Sequence, residues 1–135
     1  MMKLISYTDG GSRNNPGPAA CGLVLQDELG NVVHQAGQYI GTATNNEAEY
    51  QALLLALEKA KELGAGEVRC HLDSELVVKQ LNRQYKVKDE KMKALFARVN
   101  QACLAFDKVE FVHVRREQNK LADKLVNEAL DQAGF

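Results

Sequence analysis

Two short β-patterned stretches, Glu67–Leu72 and Lys108–Val114, are each entered from a helix-forming segment, and this constrains the fold more than any other feature of the chain. A strand reached through a helix crosses over and lies parallel to its neighbour, whereas an antiparallel return needs only a tight turn. The N-terminal part reads differently. Lys3–Asp9, Cys21–Gln26 and Val32–Ile40 are β-rich and have no helical segment between them. The first two are separated by the run Gly10–Pro18, which holds both prolines, and the next two by Asp27–Asn31, whose Gly30-Asn31 pair is a hairpin signal. These three strands are predicted to form an antiparallel meander.

Helix signals punctuate the rest. Thr44-x-x-Glu47 matches a capping box, helical propensity is high from Ala48 to Leu63, and Gly64 with Gly66 supplies the stop. Further helices are predicted over Ser74–Asn82, Asp89–Phe106 and Glu117–Gln132, the last with apolar positions Leu121, Ala122, Leu125, Ala129 and Leu130. The order β-β-β-α-β-α-α-β-α predicts an α/β fold: a five-stranded mixed sheet, three antiparallel strands then two parallel, with helices on both faces. A length of 135 residues suits one domain, 1–135, and no repeat or linker interrupts it.

Composition narrows the function classes. With 45% hydrophobic and 26% charged residues the chain is neither disordered nor membrane-like. No apolar run reaches the ~18 residues of a membrane span, and Met1-Met2-Lys3 leads into a strand rather than a signal-peptide core, so a cytoplasmic protein is expected. Cys21, Cys70 and Cys103 are scattered and odd in number, which suits buried reduced thiols rather than disulfides or a zinc site. The net charge of −1 hides a local excess: Lys79–Arg98 carries seven basic residues against Asp89 and Glu90. A basic segment on an acidic body suits an anionic polymer docking at one place, and a solvated helix face accounts for it equally well.

Four acids stand where a solvated charge is not expected. Asp9 ends the first strand with the alternation parity of Ile5 and Tyr7. Asp73 follows the fourth strand and precedes a helix; both positions are strand carboxyl ends, where ligands gather in open α/β sheets. Spacing separates Glu47 from Glu49: Glu49 shares the apolar stripe of Leu53, Ala56, Ala60 and Leu63, whereas Glu47 shares a face with Gln51, Glu58 and Lys61. Glu47 is therefore the cap, and Glu49 is the carboxylate in need of a metal or a base. Asp123 lies one turn into the last helix. Each acid alone has a bland account as turn, cap, rim or helix-dipole residue. As a set they suit hard-cation chemistry on phosphodiesters.

The chain resembles the type I ribonuclease H family. The resemblance is carried by Tyr7-Thr8-Asp9-Gly10-Gly11-Ser12 with Asn15-Pro16-Gly17-Pro18, by Thr44-Asn45-Asn46-x-x-Glu49, by Asp73-Ser74, and by Arg116-x-x-Asn119-x-x-Ala122-Asp123, in the family's order. It implies an endonuclease that cleaves the RNA strand of RNA–DNA hybrids, leaving 5′-phosphate and 3′-hydroxyl ends. Asp9, Glu49, Asp73 and Asp123 are the implied ligands of two Mg2+ or Mn2+ ions. Asp9 would bridge them, Asp123 would complete the site that activates water, and Glu49 with Asp73 would hold the ion at the leaving group.

The resemblance also assigns substrate contacts. Gly10, Ser12, Asn15, Asn45, Asn46 and Ser74 are candidates for reading the 2′-hydroxyls and minor-groove edges of the hybrid, and Thr44 for a DNA-strand phosphate. Longer members carry a loop histidine before the last Asp. Here His113 lies in the fifth strand, and Arg116 occupies the position used by a compact, archaeal-like subset, with Arg115 beside it. Arginine can hold phosphate but is a poor proton shuttle. Trp is absent, so the tryptophan-bearing basic protrusion is missing or replaced by Arg83–Met92, and no separate hybrid-binding domain is read. Weak, salt-sensitive hybrid binding by a monomer is expected, with double-stranded RNA as a further candidate substrate. The competing readings are another nuclease of the same superfamily and a catalytically inactive nucleic-acid-binding member.

Overall fold

The computed structural model describes residues 2–135. Strands β1 (Lys3–Ser12), β2 (Gly17–Gln26) and β3 (Val32–Ala43) are followed by α1 (Asn45–Glu62), β4 (Glu67–Leu72), α2 (Glu75–Leu81), α3 (Glu90–Cys103), β5 (Lys108–His113) and α4 (Lys120–Gln132). One sheet has the order β3-β2-β1-β4-β5. β1–β2 and β2–β3 pair antiparallel, β1–β4 and β4–β5 parallel. The mixed sheet expected from the order of elements is therefore present. Among the described residues, no helix is long and apolar enough to cross a membrane.

Alternation divides the sheet into two faces. Leu4, Leu25, Tyr50, Leu53, Leu57, Val68, Cys70, Leu72, Val77 and Val99 form the main core between the sheet and α1, α2 and α3. On the other face Ala20 meets Val126, Ala129 and Leu130 of α4 in a much smaller cluster. Two glycines let helix backbone approach the sheet closely. A Cβ on Gly10 would collide with the Ala48 carbonyl of α1, and one on Gly22 with the Ala122 carbonyl of α4.

That close approach explains the largest departure from the sequence reading. Gly10 and Gly11 are not turn residues. β1 runs through them to Ser12 and β2 begins at Gly17, with Gly10 opposite Cys21 and Gly11 opposite Ala20. The turn shrinks to Arg13–Pro16, and Gly10 serves the packing of α1 on the sheet. β3 also runs past Ile40 to Ala43, and a register shift at Ala19/Ala20 leaves Ile40 as an extra residue. Gly41 follows it with φ of +82°.

Two helices are shorter than predicted. α3 stops at Cys103, and the helix expected from Glu117 is a single 3-10 turn over Arg116–Gln118 followed by α4 from Lys120. The break falls at Asn119, whose φ of −120° is not helical and whose side chain turns inward. Cys21 and Cys70 are buried as expected, and burial pushes both thiols up to about 12; Cys103 is only half-buried.

Candidate active site

Strand register brings the first two acids together. Parallel pairing sets Thr8 opposite Leu72, so the next residues, Asp9 and Asp73, emerge side by side at the carboxyl edge of β1 and β4. From one face α1 adds Glu49, whose Oε1 accepts the Gly10 backbone N–H at 3.1 Å. Asp9, Glu49 and Asp73 each offer an oxygen, and these oxygens lie within 4.8 Å of one another. Asp123 reaches in from the first turn of α4 on the other face; it stands outside that tight group but lines the same cavity and adds its charge to Asp9.

The electrostatics of this cluster are unfavourable without a cation. Burial raises Asp9 to about 7, opposed by its neighbour Glu49 and reinforced by Asp73 and Asp123. Burial likewise holds Glu49 well above the ordinary carboxyl range, helped by the charges of Asp9 and Asp73. Two carboxylates at such separations repel by about 3–4 kcal/mol at an effective dielectric of about 20. Glu49 Oε2 is buried and has no hydrogen-bond partner. A hard divalent cation with oxygen ligands answers both features: it offsets the repulsion and satisfies the orphaned oxygen.

The cavity measures about 380 Å3 and is lined by Asp9, Gly10, Ser12, Asn45, Asn46, Glu49, Asp73, Ser74, Arg116 and Asp123, together with Gly11, Arg13, Val126, Asn127 and Leu130. Arg116 lines it and Arg115 does not, which separates the two arginines that sequence left adjacent. His113 is exposed at the end of β5 and lies away from the cavity.

Asn15 and Thr44 do not line the cavity but brace its wall. Asn15 Oδ1 accepts from the Asn45 backbone N–H at 3.0 Å, and Asn45 Oδ1 accepts from the Ser12 backbone N–H at 2.8 Å, so the β1–β2 turn is laced to the start of α1. Thr44 completes the capping box: its Oγ1 accepts from the Glu47 N–H at 3.1 Å, and Glu47 Oε1 accepts from the Thr44 N–H at 3.2 Å. Glu47 is the capping residue that helical spacing made it, and Glu49 is buried.

Two site residues escaped the sequence reading. Arg13 is held at the cavity rim by Asp131, 2.9 Å away, and is near Asn127; an arginine in a polar turn gives no signal of this. Asn119 is fully buried against Asp73. Its place in the Arg116–Asp123 motif was the available clue.

Comparison with known proteins agrees with the geometry. Residues 7–129 match the family described as reverse transcriptase-like. The chain is 44% identical over 131 residues to the ribonuclease HI of Halobacterium salinarum, across 97% of this chain and 66% of that one. The chain belongs to the ribonuclease H family. The crystal structure of the RNase H1 from that halophilic archaeon superposes with a TM-score of 0.94 at 43% identity, covering 96% of this chain and 98% of the other. LC11-RNase H1, solved in complex with an RNA/DNA hybrid, matches with a TM-score of 0.93 at 47% identity over 96% of this chain and 98% of that chain. The bifunctional protein Rv2228c of Mycobacterium tuberculosis is 40% identical over 98% of this chain. This ribonuclease H chain spans only 36% of that protein and about two thirds of the halobacterial sequence.

Proposed function

We propose that the chain is a ribonuclease H that hydrolyses the RNA strand of RNA–DNA hybrids, leaving 5′-phosphate and 3′-hydroxyl ends. The observation that carries this reading is the convergence of Asp9 of β1, Glu49 of α1, Asp73 after β4 and Asp123 of α4 in one cavity beside Ser12, Asn45 and Asn46. The four carboxylates would hold two divalent ions, Mg2+ or Mn2+, whose chemistry is to lower the pKa of a water and to neutralise charge growing on the departing oxygen.

The chain's own residues do the rest. Asp9 sits between the two faces and takes part in both halves of the site, because Glu49 approaches it from α1 and Asp123 from α4. The laced turn of Ser12, Asn15 and Asn45 holds the RNA strand through its 2′-hydroxyls, which distinguishes hybrid from DNA duplex. Arg116, always charged, holds a phosphate at the rim. Away from the site, Arg83, Lys86 and Lys93 line a groove with Tyr85 and Phe96, and these cations follow a nucleic-acid backbone. Binding through such contacts weakens steeply with salt. The protein works as a cytoplasmic monomer, and double-stranded RNA is a second substrate to assay.

The test is cleavage of an end-labelled hybrid, duplex DNA and duplex RNA by the wild type and Asp9→Asn with Mg2+ or Mn2+. Hybrid-selective cleavage lost in the variant is expected. Equal activity of the two proteins overturns the mechanism, and cleavage of duplex DNA at the hybrid rate overturns the substrate.

A further inference from the structure

Asn119 occupies the break between the 3-10 turn and α4, and it is 1% exposed although it is an amide in a helix-entry loop. Its Nδ2 donates twice. One bond goes to the backbone carbonyl of Thr8 at 2.8 Å, the other to Asp73 Oδ2 at 3.0 Å. Its Oδ1 is buried without a hydrogen-bond partner, a cost that an apolar residue in its place would avoid. An amide that tolerates an unsatisfied oxygen is retained for its donor. That donor joins β1 one residue before Asp9, the carboxylate that follows β4, and the start of the helix that carries Asp123.

We propose that Asn119 is a positioning residue for the two-ion site, fixing which oxygen of Asp73 faces the ions and locking the entry of α4, and hence Asp123, to the end of β1. This rests on the proposed nuclease reading but concerns a residue outside the four carboxylates. With Oδ2 engaged by Nδ2, the other oxygen of Asp73 is the one free to turn toward Asp9 and Glu49. A carboxylate without that bond rotates about its terminal torsion and loses orientation rather than charge. The effect should therefore fall on ion affinity and turnover, and not on hybrid binding.

The experiment compares wild type, Asn119→Ala and the isosteric Asn119→Asp by calorimetric titration with Mg2+, by steady-state cleavage of a hybrid and by thermal melting. Expected for both variants are Mg2+ affinity and kcat lowered by roughly 10-fold to 100-fold, the range found when a group orienting a metal ligand is removed, with KM for the hybrid near the wild-type value. Partial recovery of kcat at high Mg2+ is expected for Asn119→Ala. Wild-type Mg2+ affinity and kcat in a variant that merely melts earlier would overturn the proposal and leave Asn119 a structural residue. If Asn119→Ala does not fold, Asn119→Asp decides by the same readouts. A wild type that binds Mg2+ but cleaves no hybrid would sink the nuclease reading, while the Mg2+ titrations still judge Asn119.

Discussion

The backbone N–H of Gly10 donates to Glu49 Oε1 across 3.1 Å, and the same glycine lies so close to α1 that a methyl group on it would strike the Ala48 carbonyl. One residue without a side chain thus sets both the height of α1 above the sheet and the position of a carboxylate. Gly10→Ala should push α1 outward and destabilise the fold by about 1–3 kcal/mol or somewhat more, the usual cost of overpacking. It should lower hybrid cleavage by a larger factor than this loss of stability accounts for. Urea denaturation alongside kinetics well below the melting temperature separates the two effects.

Ionisation of the cluster gives a prediction with a definite sign. The folded pKa of Asp9, about 7, lies above its ordinary value of 3.8, so the folded state binds the proton more tightly than the unfolded state does. Ion-free protein should then be most stable below about pH 4 with respect to this group and lose that contribution as pH rises toward 7. Mg2+ should reverse the trend, since its binding expels the proton and strengthens as pH rises. Melting curves from pH 4 to 8, with EDTA or with Mg2+, check this. Asp9→Asn should melt higher than wild type in EDTA near pH 7 and gain less from Mg2+; a lower melting temperature would contradict the electrostatic account.

The two adjacent arginines should behave differently. Arg116 lines the cavity and Arg115 does not. Arg116→Ala is expected to reduce kcat/KM for a hybrid by about tenfold or more, the loss of one charge-assisted phosphate contact worth about 1.5–3 kcal/mol. Arg115→Ala should stay close to wild type. Arg116→Lys should recover only part, because a point charge replaces a planar fork.

Thr44 should act through the helix. Its hydroxyl accepts from the Glu47 N–H, so Thr44→Ala should cost about 1 kcal/mol of stability, and Thr44→Ser should restore most of it. A KM increase in Thr44→Ala that Thr44→Ser repairs would assign the hydroxyl a phosphate contact in addition to its cap.

The mixed character of the sheet was legible in the order of the elements, though not the β3-β2-β1-β4-β5 order of its strands, and the four acids stood out by their places at element ends or on an apolar stripe. Glu49 stood out because a helix of 3.6 residues per turn places it over Leu53, Ala56 and Ala60, which are buried, whereas Leu63, the last member of that stripe, is exposed at the end of the helix. Gly10 was misread as a turn residue because a glycine needed for close packing and one needed for a turn look alike until the neighbouring helix is in place. Asn119 was invisible as a positioning group for a related reason. Its partners, the Thr8 carbonyl and Asp73, are 111 and 46 residues away, and nothing local announces them.

The pairing of β1 with β4 carries a consequence for how chains of this kind can change length. Lys3 faces Glu67 and Thr8 faces Leu72 without a register shift, so Asp9 and Asp73 meet only because the two segments leading to them are equally long. Inserting or deleting one residue in either segment turns its acid to the opposite side of the sheet and silences the chemistry while leaving the hydrophobic composition unchanged. The Asp27–Asn31 turn and the Arg83–Lys88 loop lie outside that measured pair. They are the places where this architecture can grow, acquire basic extensions or lose them, without disturbing the spacing of Asp9 and Asp73.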